Sequence, residues 1–202
     1  MKIKSQLSTF ILAGVMLVSL TNCGTKKMEE QPASYEETAV VEEASAVAAP
    51  QFVVDEQFQK QLGAVFASYV SLKEAFVATD AVKVKVEAEK VGQALKKVDM
   101  TLITDAAHND WMTYQQNLTK AIQDIQSQSE IEAQRSAFKN LSDELFKTIK
   151  AYGLGGTTAY YEFCPMAFNN SGAYWLSDNA TIRNPYFGDK MLSCGSVEEK
   201  LN

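Results

Sequence analysis

Four consecutive stretches of the chain repeat apolar residues at alternating intervals of three and four, and this periodicity restricts the fold more than any other feature. Such spacing returns side chains to one face of an α-helix and to neither face of a strand. The first stretch, after the N-capping residue Asp55, carries Phe58, Leu62, Val65, Tyr69, Leu72 and Phe76. The second, after Thr79 or Asp80, carries Val84, Ala88, Val91, Leu95 and Val98. The third starts near Thr104 or Asp105 and places Trp111, Tyr114, Leu118, Ile122 and Ile125 on one side. The fourth opens with Ser129-Glu130-Ile131-Glu132, a capping-box pattern, continues through Ile131, Phe138, Leu141, Leu145 and Ile149, and stops at Gly153. Connections of a few residues make successive helices antiparallel neighbours. The pattern predicts a mainly α protein: an antiparallel up-and-down four-helix bundle. Each of these apolar residues is accounted for by core packing.

The segments outside the periodic body have different textures. Residues 1–22 join Lys2 and Lys4 to an apolar run, Phe10 to Leu20, which is too short to span a bilayer and reads as an export signal. The run ends in Leu20-Thr21-Asn22-Cys23, which resembles a bacterial lipobox and implies lipidation of Cys23. Removing the signal takes away two lysines and no acid, so the formal net charge goes from −6 to −8. That charge repels nucleic acid and anionic membrane surfaces, leaving the lipid as the membrane attachment. Residues 23–52, rich in Glu, Ala, Val, Thr and Pro, read as a disordered acidic tether, and residues 53–202 as the folded domain with its cap.

After Gly155-Gly156 helical periodicity ends, and the chain becomes dense in aromatics, Asn, Gly and Pro. Thr157 to Phe163 reads as extended, Asn169 to Gly172 and Asn184-Pro185 as turns, and Gly188 to Leu192 as one short helical turn. The whole is expected to be an irregular, aromatic and sulfur-rich cap on the bundle. Pro165 biases Cys164 toward an extended conformation, in which Cys164 and Met166 point the same way. A helical turn at Met191 to Cys194 would likewise place those two sulfurs on one face. Two thiols and two thioethers form a soft donor set suited to Cu(I) or silver and unsuited to Mg, Ca or Mn. Blue-copper and binuclear copper-thiolate centres need more histidine than the single His108, and covalent haem needs a C-x-x-C-H that is absent. The competing reading is a Cys164–Cys194 disulfide with Met166 and Met191 as core filler, closing a loop worth about 3–4 kcal/mol.

The residues VSLKEAFVATD, AAHNDWM, CPMAFNNSGAYWLS and IRNPYFGDKMLSCGSV resemble a bacterial family catalogued as domain of unknown function 3347, from about Phe58 to Val197. Related domains extend the C-termini of periplasmic adaptors in heavy-metal efflux systems, so the resemblance implies copper or silver handling and efflux components as partners. Cys164-Pro165-Met166 is also similar to the C-P-M of small heavy-metal-binding modules, where histidine often follows; here it is Ala167. The resemblance implies Cys164, Met166, Met191 and Cys194 as ligands, with His108 as a further one. The expected function is that of a lipoprotein of the bacterial envelope that binds Cu(I) for handover to efflux. The alternative is a non-metal interaction module stapled by Cys164–Cys194. An enzyme is not expected, because no orienting motif accompanies Cys164 and His108.

Overall fold

Helix starts are set locally by short acidic side chains. In the computed structural model, which describes residues 49–202, the Asp55 carboxylate accepts the Gln57 N–H at 2.7 Å and opens α1, Glu56–Val77. Asp80 accepts from Val82 and Lys83 and opens α2, Ala81–Leu95. These bonds satisfy N–H groups that the first turn of a helix leaves without partners. Helix α3 runs Asp105–Ser127 and α4 runs Ile131–Tyr152, ended by Gly153 at φ 73°. The capping box expected from Ser129 does not form. The N-cap is Glu130, one residue later, so Glu132 falls a position short of where its carboxylate could reach back.

The periodic residues are buried, apart from Tyr114 and Ile131, which are half-buried. Helix α1 packs on α2, α2 on α3, α3 on α4, and α1 also meets α4. The chain is thus mainly helical. The export signal, Cys23 and the tether up to residue 48 lie outside the described residues. Gln51 and Phe52, assigned to the tether, belong to the fold: their N–H groups bond to Lys150 and Ala151 carbonyls, and the Phe52 ring stacks on Tyr152.

The cap is more regular than expected. It is a three-stranded antiparallel sheet in the order β2-β1-β3, with β1 Ala159–Cys164 central, β2 Ala173–Ser177 and β3 Ser196–Leu201. Tyr160 pairs with Ser177, Glu162 with Trp175 and Cys164 with Ala173, while β3 joins the other edge of β1 with an irregularity at Tyr161/Glu162. The strand signal is weak in sequence because β2 is buried over nearly its whole length, which removes the in-out alternation by which a strand is read.

Three side chains of the helices hold the C-terminal segment. Tyr69 of α1 accepts the Leu176 N–H at 3.1 Å and donates to Ser142 at 2.7 Å, since the Ser142 hydroxyl is itself committed to the Phe138 carbonyl. Arg135 of α4, almost fully buried, donates to the carbonyls of Pro185 and Phe76, to the Thr79 hydroxyl and to Glu132. Phe146 of α4 stacks on Tyr161 with ring centroids 3.7 Å apart.

Candidate functional site

The central strand delivers Cys164 to the interior and the last loop brings Cys194 back to it. Their sulfurs stand 2.9 Å apart although thirty positions separate them in sequence. Cys164 is 0 % exposed and Cys194 half-buried; both are free thiols. Two bonds hold the Cys194 backbone: its N–H donates to the Met191 carbonyl, and its own carbonyl accepts from the Asn184 side chain. Gly195 follows at φ 145°, where an added Cβ would lie 2.8 Å from the Phe163 carbonyl and 2.9 Å from the Trp175 ring. Only glycine lets the loop come this close to β1 and β2. Contact with Cys164, together with burial, pushes the Cys194 thiol up to about 11.

The methionines lie elsewhere around the same region. The chain turns at Pro165-Met166, so Cys164 is buried while Met166 is 48 % exposed, and the expected shared face is lost. Met191 to Cys194 forms a hydrogen-bonded turn, not a helical one. Met166 and Met191 line one cleft of about 470 Å³ with Arg135, Phe168, Tyr186 and Phe187. Phe168, Asn169 and Asn170 beside it all have positive φ, a conformation rare for such side chains. The structure therefore pairs thiol with thiol, while the two thioethers line a cleft in which neither cysteine takes part.

His108 is distant from all four. The carbonyl of its neighbour Ala107 accepts from Tyr152 at the C-terminal end of α4, whereas Arg135, which borders the methionine cleft and bonds beside the Cys194 loop, lies seventeen residues earlier. At 1.5 Å per residue that is about 25 Å. Among the described residues no three of His, Cys, Asp and Glu cluster as metal ligands, and no helix is long and apolar enough to cross a membrane.

Sequence reading missed a buried polar group behind the thiols. Lys73 of α1 is 1 % exposed, and its ammonium reaches Ser177 at 3.2 Å and Glu74 at 2.8 Å. Glu162, 0 % exposed, has no hydrogen-bond partner on either carboxylate oxygen, and the Trp175 indole N–H opposite it is also unpartnered. Burial pushes the Glu162 carboxyl up to about 7, against the opposing pull of Lys73. Both signals were present in the sequence. Lys73 sits four after Tyr69 and three before Phe76, inside the apolar stripe, and Glu162 is in phase with Cys164 along a strand.

Neither a curated protein nor a solved structure matches the chain. The family match begins within α1 and ends just after α4, so the strands and the sulfur residues lie beyond it, although the resemblance read from the sequence ran on to Val197. Residues 65–157 match the model of the family described as Protein of unknown function (DUF3347).

Proposed function

We propose that this is a lipid-anchored protein of the bacterial envelope whose Cys164–Cys194 thiol pair takes a soft monovalent cation, Cu(I) above others, for handover to heavy-metal efflux components. The helical body is read as an up-and-down four-helix bundle, in keeping with the packing of each helix on the next and of α1 on α4. The observation that carries the functional reading is the 2.9 Å contact between a buried thiol and a half-buried one. Thiolates select Cu(I), while zinc takes four ligands, which two cysteines do not supply. A cation held between the sulfurs parts them to roughly 4.5 Å, twice a metal–sulfur bond of about 2.3 Å. The half-exposed Cys194 side chain is the one free to swing. Met166 and Met191 flank this pair from their own cleft and are assigned a lesser share of the affinity.

The same contact favours a second reading, a disulfide staple, which asks the sulfurs to close to about 2.05 Å. The two states exclude each other chemically, so oxidation would switch off cation binding. Anaerobic titration of the reduced protein with Cu(I) against a tight chelator, with a thiol count, separates them. One equivalent is expected to bind, lost in Cys164→Ser and Cys194→Ser and weakened by a smaller factor in Met166→Leu or Met191→Leu. Failure of the reduced wild-type protein to compete with the chelator leaves the staple alone.

A further inference from the structure

Residues 184–194 form a loop closed by one of its own side chains. Asn184 is fully buried, and its hydrogen bonds stay inside this segment. Its N–H donates to the Leu192 carbonyl at 2.8 Å, and its side-chain amide donates to the Cys194 carbonyl at 2.8 Å. Its side-chain oxygen accepts the Tyr186 N–H at 2.8 Å, and its backbone carbonyl accepts the Gly188 N–H at 3.1 Å. The two ends of the loop are thereby joined at one residue, as in an Ω-loop. Other residues attach the loop to the rest of the molecule. Arg135 donates to the Pro185 carbonyl, and the Tyr186 hydroxyl donates to the Tyr174 carbonyl. Gly188 takes φ 58°, where an added Cβ would lie 2.7 Å from the Val77 carbonyl. Cys194 is held differently. Its N–H donates to Met191 and its carbonyl accepts from Asn184, so both of its backbone groups are committed within the loop. The place of the Cys194 sulfur, 2.9 Å from that of Cys164, is therefore inherited from the loop, and Asn184 is the side chain that transmits it.

We infer that Asn184 is the positioning residue of the thiol pair: its amide holds the Cys194 backbone in place beside β1 and so raises the effective concentration of one thiol at the other. A thiol held in this way joins its partner, in a disulfide or around a shared cation, without first giving up the freedom of a mobile chain. The position calls for an amide. The oxygen must accept from the Tyr186 N–H while the nitrogen donates to the Cys194 carbonyl, and a carboxylate supplies only the first of these. The inference rests on the thiol pair as the functional centre and deepens it by naming the residue that sets the separation of the sulfurs. That separation can be read without any metal.

The test equilibrates the metal-free full-length protein with mixtures of glutathione and glutathione disulfide and quantifies the Cys164–Cys194 bond by peptide mass spectrometry. Two protons and two electrons leave the thiol pair as the S–S bond forms, and one glutathione disulfide becomes two glutathione molecules. Asn184→Asp keeps the acceptor for Tyr186 and loses the donor to Cys194, and its equilibrium is expected to shift toward the dithiol by roughly tenfold or more. Arg183→Ala, which removes only the neighbouring surface pair with Glu74, is expected to stay within about twofold of the wild type. An equal shift in Arg183→Ala would mean that any loosening of the loop suffices, and would overturn the inference. So would an unchanged equilibrium in Asn184→Asp, because a side chain that merely supports the fold stabilises the dithiol and the disulfide alike. Where Asn184→Asp does not fold, amide hydrogen exchange of the wild-type protein decides. The N–H groups of Asn184, Tyr186 and Cys194 must be as protected as those of β1 in both redox forms, and exchange at the rate of an open turn overturns the inference equally. A shifted glutathione equilibrium in a protein that takes no Cu(I) sinks the metal reading alone.

Discussion

The helical body and the C-terminal sheet solve the same burial problem differently. In the body, Ser142 and Thr148 bond to their own helix, and Arg135 is bonded through all three of its guanidinium nitrogens. In the sheet lie the free thiols, the unpartnered Glu162 and Trp175, and a turn with three residues at positive φ. The body has unpartnered buried atoms as well, at Trp111 and Gln134, but the sheet side adds to them a buried carboxyl group with neither oxygen bonded and two thiols in contact. Under the proposed function the body is the support, and the sheet with its loops is the working surface.

The largest effect that would sharpen this contrast is loss of Trp111. Its ring is fully buried against Phe58 and Tyr152, and Trp111→Ala is expected to destabilise the domain by about 4 kcal/mol in denaturant unfolding. Thiol alkylation under native conditions should stay unchanged. If reactivity moves with it, body and sheet are not separable in this way.

Next comes the joint between them. Arg135→Ala removes four hydrogen bonds reaching Phe76, Thr79, Pro185 and Glu132 and is expected to cost about 3 kcal/mol. Here Cys194 alkylation should accelerate, because the Asn184-Pro185 turn that holds its loop loses its anchor. Equal loss of stability with unaltered thiol reactivity would detach that loop from α4.

The smallest of the three is the pH dependence of stability. Glu162 is raised in the folded state from 4.5 to about 7, so the native protein binds the extra proton between those values. Its share of stability is fully present below about pH 4.5 and falls as pH rises to about 7. Glu162→Gln, compared with the wild type across that window, is expected to gain about 2 kcal/mol above pH 7 and nothing at pH 4. A constant difference at every pH would mean that the Glu162 carboxyl holds its proton equally well folded and unfolded, so that burial does not shift it.

Legibility in the sequence followed the same division. Helix starts at Asp55 and Asp80, the stop at Gly153 and the buried stripes could be read directly, because each depends on residues within one or two turns. Cys164 and Cys194 could be named as a pair, since two thiols of one folded domain are few enough to consider together. That Met166 leaves the face of Cys164 and that His108 stands at the far end of α4 could not be read. Each depends on how the chain turns at Pro165 and how the sheet is laid against α1 and α4.

By itself, then, the order of residues determined which segments coil and which faces they hide, because short-range periodicity and capping act within a segment. Only the tertiary arrangement decided which sulfurs meet and which stay apart. Those are contacts between residues far apart in the chain, selected by the closure of the whole core and not by any local preference.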